Sequence, residues 1–183
     1  MALADAQALA IRKLLSKSAY DIALTPGPPL PKSHPSPTLI SKLHLECASL
    51  YSSALSLVQI PGRNVKGKGK ESSSSAVDGE VSADLRRYLA DEASFHAALG
   101  KKWLGVDAGE SGGAKGGHAV GFLAWAKKDL EAMKDGGKGL GIGREKDTKD
   151  RRKERVHEEL DSVSMFLKHY KKMNDSVSDY LFP

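Results

Sequence analysis

Apolar residues recur at three- and four-residue steps along most of the chain and nowhere alternate over a strand's length, so the pattern predicts an all-α protein of about five helices. The first spans Leu3 to Tyr20, with Leu3, Ala6, Ala10 and Leu14 on one side. The second spans Pro37 to Ile60, with Leu39, Leu43, Leu50, Ala54 and Leu57 as its stripe and Cys47 alongside. Ser36 suits its N-cap, Pro37 suits its first turn, and Pro61-Gly62 ends it. The third begins near Ser82, a cap followed by Asp84, and carries Leu85, Leu89, His96, Leu99 and Trp103 until Gly105 closes it. The fourth covers His118 to Lys134. The fifth runs from about Glu145 to Asn174 on the stripe Val156, Leu160, Val163, Leu167 and Tyr170. Only the tail, Val177 to Pro183, reads as extended.

The breaks are as legible as the helices. Thr25 to Pro37 holds six prolines, which forbids helix and favours polyproline geometry. Its Pro28–Pro31 stretch has PxxP form, but lacks a well-placed arginine, and a rigid connector outweighs a peptide ligand for an SH3 or WW domain. Segments 61–81, 107–117 and 135–144 are rich in Gly, Ser or Lys and read as disordered loops. Around the second of them stands the strongest packing signal. Ala119, Leu123 and Ala126 place small, large and small side chains on one helix face, which lets two antiparallel helices approach closely. That is the pattern of a tetratricopeptide-like hairpin, a solenoid or bundle unit that displays surface to other proteins.

Composition adds constraints. Of 183 residues, 40% are hydrophobic, and the formal net charge is +5. Basic residues cluster in Arg63–Lys70 and Lys127–Arg155, so Lys66, Lys68, Lys70, Arg151, Arg152 and Arg155 are candidates for an anionic surface, against the plainer reading of a solvated face. Aromatic residues are not interleaved with them, which counts against single-stranded nucleic acid, and no nucleic-acid partner is expected; the alternative function is still a basic helical protein that binds anionic membrane or nucleic acid, and a peripheral membrane contact stays open. Cys47, the single cysteine, falls at an apolar helical position and reads as a small buried hydrophobe in a reducing cytosolic or nuclear setting. The apolar runs are too interrupted to span a bilayer, and the N-terminus lacks the pattern of a secretory signal.

Chemistry-bearing constellations do not emerge. No two histidines stand four apart on a helix, and His96 reads as a packed or hydrogen-bonded core residue, so no metal is expected. Gly136 to Gly143 follows a helix rather than a strand and lacks the Gly-Lys-Ser/Thr ending of a phosphate loop. Asp91-Glu92 and Glu158-Glu159 are adjacent pairs, which point to different sides of a helix and read as solvated charges. No nucleophile–base set is present, so the expectation is no enzyme, no catalytic residue and no cofactor. Trp125 projects away from the Ala119/Leu123/Ala126/Leu130 face, either to pack on another hairpin or to anchor a partner. With Phe122, Leu123, Lys128 and Met165 it forms the candidate partner-binding set.

Five stretches carry a family resemblance: Ile22–Pro31 (IALTPGPPLP), Asp84–Leu99 (DLRRYLADEASFHAAL), Lys102–Gly109 (KWLGVDAG), Ala119–Lys128 (AVGFLAWAKK) and Phe166–Asp175 (FLKHYKKMND). The chain resembles the PalC family of fungal pH-response regulators, in the tetratricopeptide-like part of their Bro-one domain, the fold shared with ALIX. A full domain of that kind is longer and begins with a small sheet, so residues 1–183 would form a partial Bro-one-like helical domain. The resemblance implies a non-enzymatic adaptor in ambient alkaline-pH signalling. Such an adaptor binds the C-terminal helix of a Snf-seven-type ESCRT-III subunit and links it to a plasma-membrane pH-sensor complex. It implies a cytoplasmic protein recruited to the plasma membrane or endosome periphery.

Overall fold

The computed structural model describes residues 1–24, 27–59, 82–112, 115–135 and 144–181. They form α1 (Ala2–Ser16), α2 (Ala19–Leu24), α3 (Pro37–Gln59), α4 (Ala83–Glu110), α5 (Gly116–Asp135) and α6 (Arg144–Leu181), with no strand among the described residues. The protein is all-α, as the periodicity predicts. Helices α3 to α6 stack in chain order, α1 lies on α3, and α4 also touches α6. Cross-helix pairs fix the directions. His44 meets His96 while Thr38 meets Asp107, so α3 and α4 are antiparallel. Lys101 meets Asp129 while Gly105 meets Ala119 and Leu123, so α4 and α5 are antiparallel too. Arg155 meets Glu92 while Tyr170 meets Glu110, so α6 runs in the sense of α4.

One core threads these layers. Ile40, Cys47 and Tyr51 of α3, Leu89, Ala98 and Val106 of α4, Ala119, Leu123 and Leu130 of α5, and Val156, Val163 and Tyr170 of α6 are all buried in it. Glycines on α4 set the spacing at each neighbour. A Cβ on Gly100 would stand 2.7 Å from Leu45 of α3, one on Gly105 would stand 2.7 Å from Leu123 of α5, and one on Gly109 would collide with the Tyr170 ring of α6. Gly105 therefore does not end the third predicted helix. It is a packing glycine, and α4 continues to Glu110, through part of the expected 107–117 loop. The break is short: Ser111 donates back to the Asp107 carbonyl, and Gly112 turns the chain at φ +65°. Positions 113–114 fall outside the described residues, as do 60–81 and 136–143, where the other expected loops lie.

Further differences have local causes. The first predicted helix is two, α1 and α2, interrupted where the Ser18 hydroxyl donates to the Leu15 carbonyl. Its inward face holds Ala4 and Ile11, while Leu3 is exposed. On α3 the stripe is rotated: Leu39 and Leu57 face solvent, and Ile40, Ser41, His44, Cys47 and Tyr51 face inward. Counting only apolar residues missed this, because Ser41 and His44 find hydrogen-bond partners on α4. The proline segment folds into turns instead of an extended rod. His34 donates its backbone N–H to the Pro31 carbonyl and lays its ring 5.1 Å from Trp103. The expected extended tail is helical to Leu181. Ser82 caps α4 as predicted, its hydroxyl accepting from the Asp84 N–H.

Candidate partner-binding surface

The α4–α5 seam positions the exposed face of α5. Ala119, Leu123, Ala126 and Leu130 are fully buried against α4, which turns the opposite positions outward. Trp125 is 54% exposed, Phe122 is half-buried and Lys128 is exposed. Lys101 of α4 holds the indole in place, with its Nζ 3.9 Å from the ring centroid and 2.5 Å from an Asp129 carboxylate oxygen. A cation over an indole face contributes about 0.5–1 kcal/mol at an exposed site and restrains the ring. Beside this trio a groove of about 480 Å³ runs along α4 and α5, with Ser94, Ala97, Ala132 and Met133 between the charged Arg87, Asp91, Lys101, Asp129 and, from α6, Arg152. The arrangement offers a large, oriented aromatic surface next to a groove of small and charged side chains, which suits an amphipathic segment of another chain.

Two members of the sequence-predicted set lie elsewhere. Leu123 has no exposed surface and packs on Gly105, so it supports the face from beneath and presents nothing to a partner. Met165 is exposed on α6, where its sulfur lies against Gly27 of the proline segment, outside the Phe122–Trp125–Lys128 row.

The basic candidates divide. Lys66, Lys68 and Lys70 lie outside the described residues. Arg151 is exposed. Arg152 pairs with Asp91, and Arg155 grips both oxygens of Glu92 at 3.1 and 3.3 Å while its guanidinium covers Phe95 at 4.3 Å. Those two arginines cross-link α6 to α4. Correspondingly, Asp91 and Glu92 are not the solvated pair that adjacency suggests, and Glu92 is buried. A further buried cation, Lys102, reaches Glu159 of α6 at 2.7 Å.

The histidine pair was not legible in sequence spacing. His44 and His96 are both buried, and their Nδ1 atoms lie 2.8 Å apart, so one ring donates and the other accepts. Burial pushes His44 down to about 3, with the facing His96 and Lys102 adding to the effect. Burial likewise lowers His96 to about 4; Glu92 opposes this, and Arg155 and Arg12 assist it. Both rings are therefore neutral near pH 7, which fits the core role expected for His96. Burial raises the Cys47 thiol to about 11, with Glu92 and Asp5 contributing, and Cys47 donates to the Ala4 carbonyl at 3.4 Å. It is a packed thiol rather than a nucleophile. Tyr51 and Tyr88 both donate to Asp5, and Tyr170 donates to Glu110, each at a burial-raised phenol. No metal-ligand cluster occurs among the described residues, and none of their helices is long and apolar enough to cross a membrane.

Comparison with known proteins adds one relative. The chain is 41% identical over 201 aligned positions to pH-response regulator protein palC of Cryptococcus neoformans var. neoformans serotype D (strain B-3501A). The alignment covers 96% of this chain and 41% of that protein. No family model matches the chain, and no solved structure does.

Proposed function

The chain is PalC-like along almost its whole length, and from that premise we propose that it serves in ambient alkaline-pH signalling as a non-enzymatic adaptor. In this reading it grips the C-terminal helix of a Snf-seven-type ESCRT-III subunit and links it to a plasma-membrane pH-sensor complex, working in the cytoplasm at the membrane periphery. The identity to palC carries the signalling role. Support for a binding role comes from the α5 face, where Trp125 stands more than half exposed yet is held by Lys101. An amphipathic helix laid along the α4–α5 groove would bury the indole, and helix-in-groove contacts of this size give roughly micromolar affinity.

The test is a titration of the ESCRT-III C-terminal helix into the protein. Trp125→Ala is expected to weaken binding about tenfold or more, as for a central aromatic anchor, with helicity unchanged. An absence of binding by the parent protein contradicts the ESCRT-III reading; binding indifferent to Trp125 contradicts the placement of the site.

A further inference from the structure

At the far end of α4 from the glycine turn, four helices surround a concavity of about 540 Å³. Its wall takes Arg12 from α1, Arg87 from α4, Lys134 from α5, and Arg151 and Lys153 from α6. None of these five cations has an ion-pair partner among the described residues. The neighbouring acids are largely taken: Asp91 by Arg152 and Glu92 by Arg155, which leaves Asp84 as the one lining carboxylate without a cation. Tyr88, Met133 and Val156 complete the lining with apolar surface.

We infer that this concavity is a binding site for a compact, multiply phosphorylated ligand. A solvated basic helix face would carry its charges on one element. Here the charges arrive from four, and they surround a hollow within the size range of small-molecule sites. Like charges gathered around low-dielectric walls repel one another until an anion enters, and they focus a positive potential on the hollow. Three of the five are arginines, whose planar forks match phosphate oxygens in pairs. The shape favours a ligand with charge on several sides over an acidic peptide, which would ask for a linear strip. Tyr88 is the one aromatic ring in the lining, too few for the stacking platform of single-stranded nucleic acid. The phosphates could belong to a free polyphosphorylated polyol or to an inositol lipid headgroup, since the recognition chemistry is shared.

Calorimetry with myo-inositol hexakisphosphate, and flotation with phosphatidylcholine vesicles with and without phosphatidylinositol bisphosphate, test the site and separate the sources. The full chain is compared with Arg87→Gln/Arg151→Gln, both exposed and without an ion pair among the described residues, and with Lys66→Gln/Lys68→Gln/Lys70→Gln as a control for general basicity. The expected result is saturable one-site binding in at least one arm. It should weaken about tenfold or more in the arginine variant, which loses charge-assisted hydrogen bonds to phosphate, and survive in the lysine control. Binding of the hexakisphosphate alone assigns a soluble ligand; binding of the lipid vesicles assigns a headgroup. Failure of both arms, equal binding by the arginine variant, loss in the lysine control, or capture only of a polyglutamate peptide overturns the inference. Arg87 also lines the α4–α5 groove but Arg151 does not, so the single Arg151→Gln variant, measured against both ligands, lets this test and that of the adaptor reading fail independently.

Discussion

The two long seams of α4 each close on a glycine, Gly105 toward α5 and Gly100 toward α3, but differ in their buried polar content. Toward α5 it presents Gly105 to Ala119 and Leu123, and the helices close until a single added Cβ would collide. Toward α3 it presents hydrogen bonds: Ser41 to the Gly100 carbonyl at 2.9 Å, His44 to His96 at 2.8 Å and Thr38 to Asp107 at 2.6 Å. The buried centre of the dry seam, at Gly105 and Leu123, is governed by volume and holds no titratable group, while the Lys101–Asp129 pair lies at its partly exposed edge. The wet seam gains little net energy per bond, yet each of its buried polar groups is costly to orphan. The face that carries Trp125 rests on the dry seam, and the Lys101–Asp129 ion pair at its edge holds the indole on it.

The largest expected effect probes volume. Leu123→Ala should lower unfolding free energy by about 3–4 kcal/mol in urea titrations, with the same loss at about pH 8 and about pH 5.5. A pH-dependent loss would mean that the dry seam is coupled to the histidines. Next comes the polar link to α6. Glu159→Ala leaves the Lys102 ammonium buried without a partner and should cost about 2 kcal/mol, whereas Lys102→Met, which removes the charge and keeps the stem, should cost about 1 kcal/mol or less. Equal costs would show that the pair acts as ordinary packing.

The wet seam predicts a pH slope of defined sign. His44 and His96 have folded values of about 3 and about 4 against 6.5 when free, so the unfolded chain takes up protons first as pH falls. Their contribution is full above pH 6.5 and declines by about 1.4 kcal/mol per pH unit for each imidazole on the way down. Denaturant titrations across that range should show the slope, and His44→Leu/His96→Leu should flatten it. The smallest effect compares two glycines of the same hairpin. Gly105→Ala should be net destabilising by about 1 kcal/mol, its crowding outweighing the helix propensity gained. Gly121→Ala, which meets open space, should stabilise by up to about 1 kcal/mol.

The same contrast explains what the sequence disclosed. Ala119, Leu123 and Ala126 announced the dry seam because apolar periodicity records volume, and all three are fully buried. Ser82 announced its helix because capping is local chemistry. The wet seam was legible only on its α4 side, where His96 falls in the stripe and reads as a packed or hydrogen-bonded core residue. His44 and His96 lie 52 residues apart, and a polar residue that finds its partner only after folding breaks the stripe that a periodic reading follows. Gly105 was misjudged for a related reason: a helix-ending glycine and a close-packing glycine look alike until the neighbour is known. Likewise Arg152 and Arg155 read as free surface charge, because nothing local marks Asp91 and Glu92 as their partners. Of the candidate surface, Trp125 was legible as the residue pointing away from the seam, while Lys101, which holds it, came from another helix and was not.

We propose that the outer face of α5 receives an ESCRT-III helix. Hydrogen exchange of the protein with and without the ESCRT-III subunit tests it directly. Slowed exchange in α5 around Phe122 to Asp129 and in the facing part of α4 around Ala97 to Lys101 is the predicted result. An unchanged pattern there, or protection confined to another part of the chain, would contradict it.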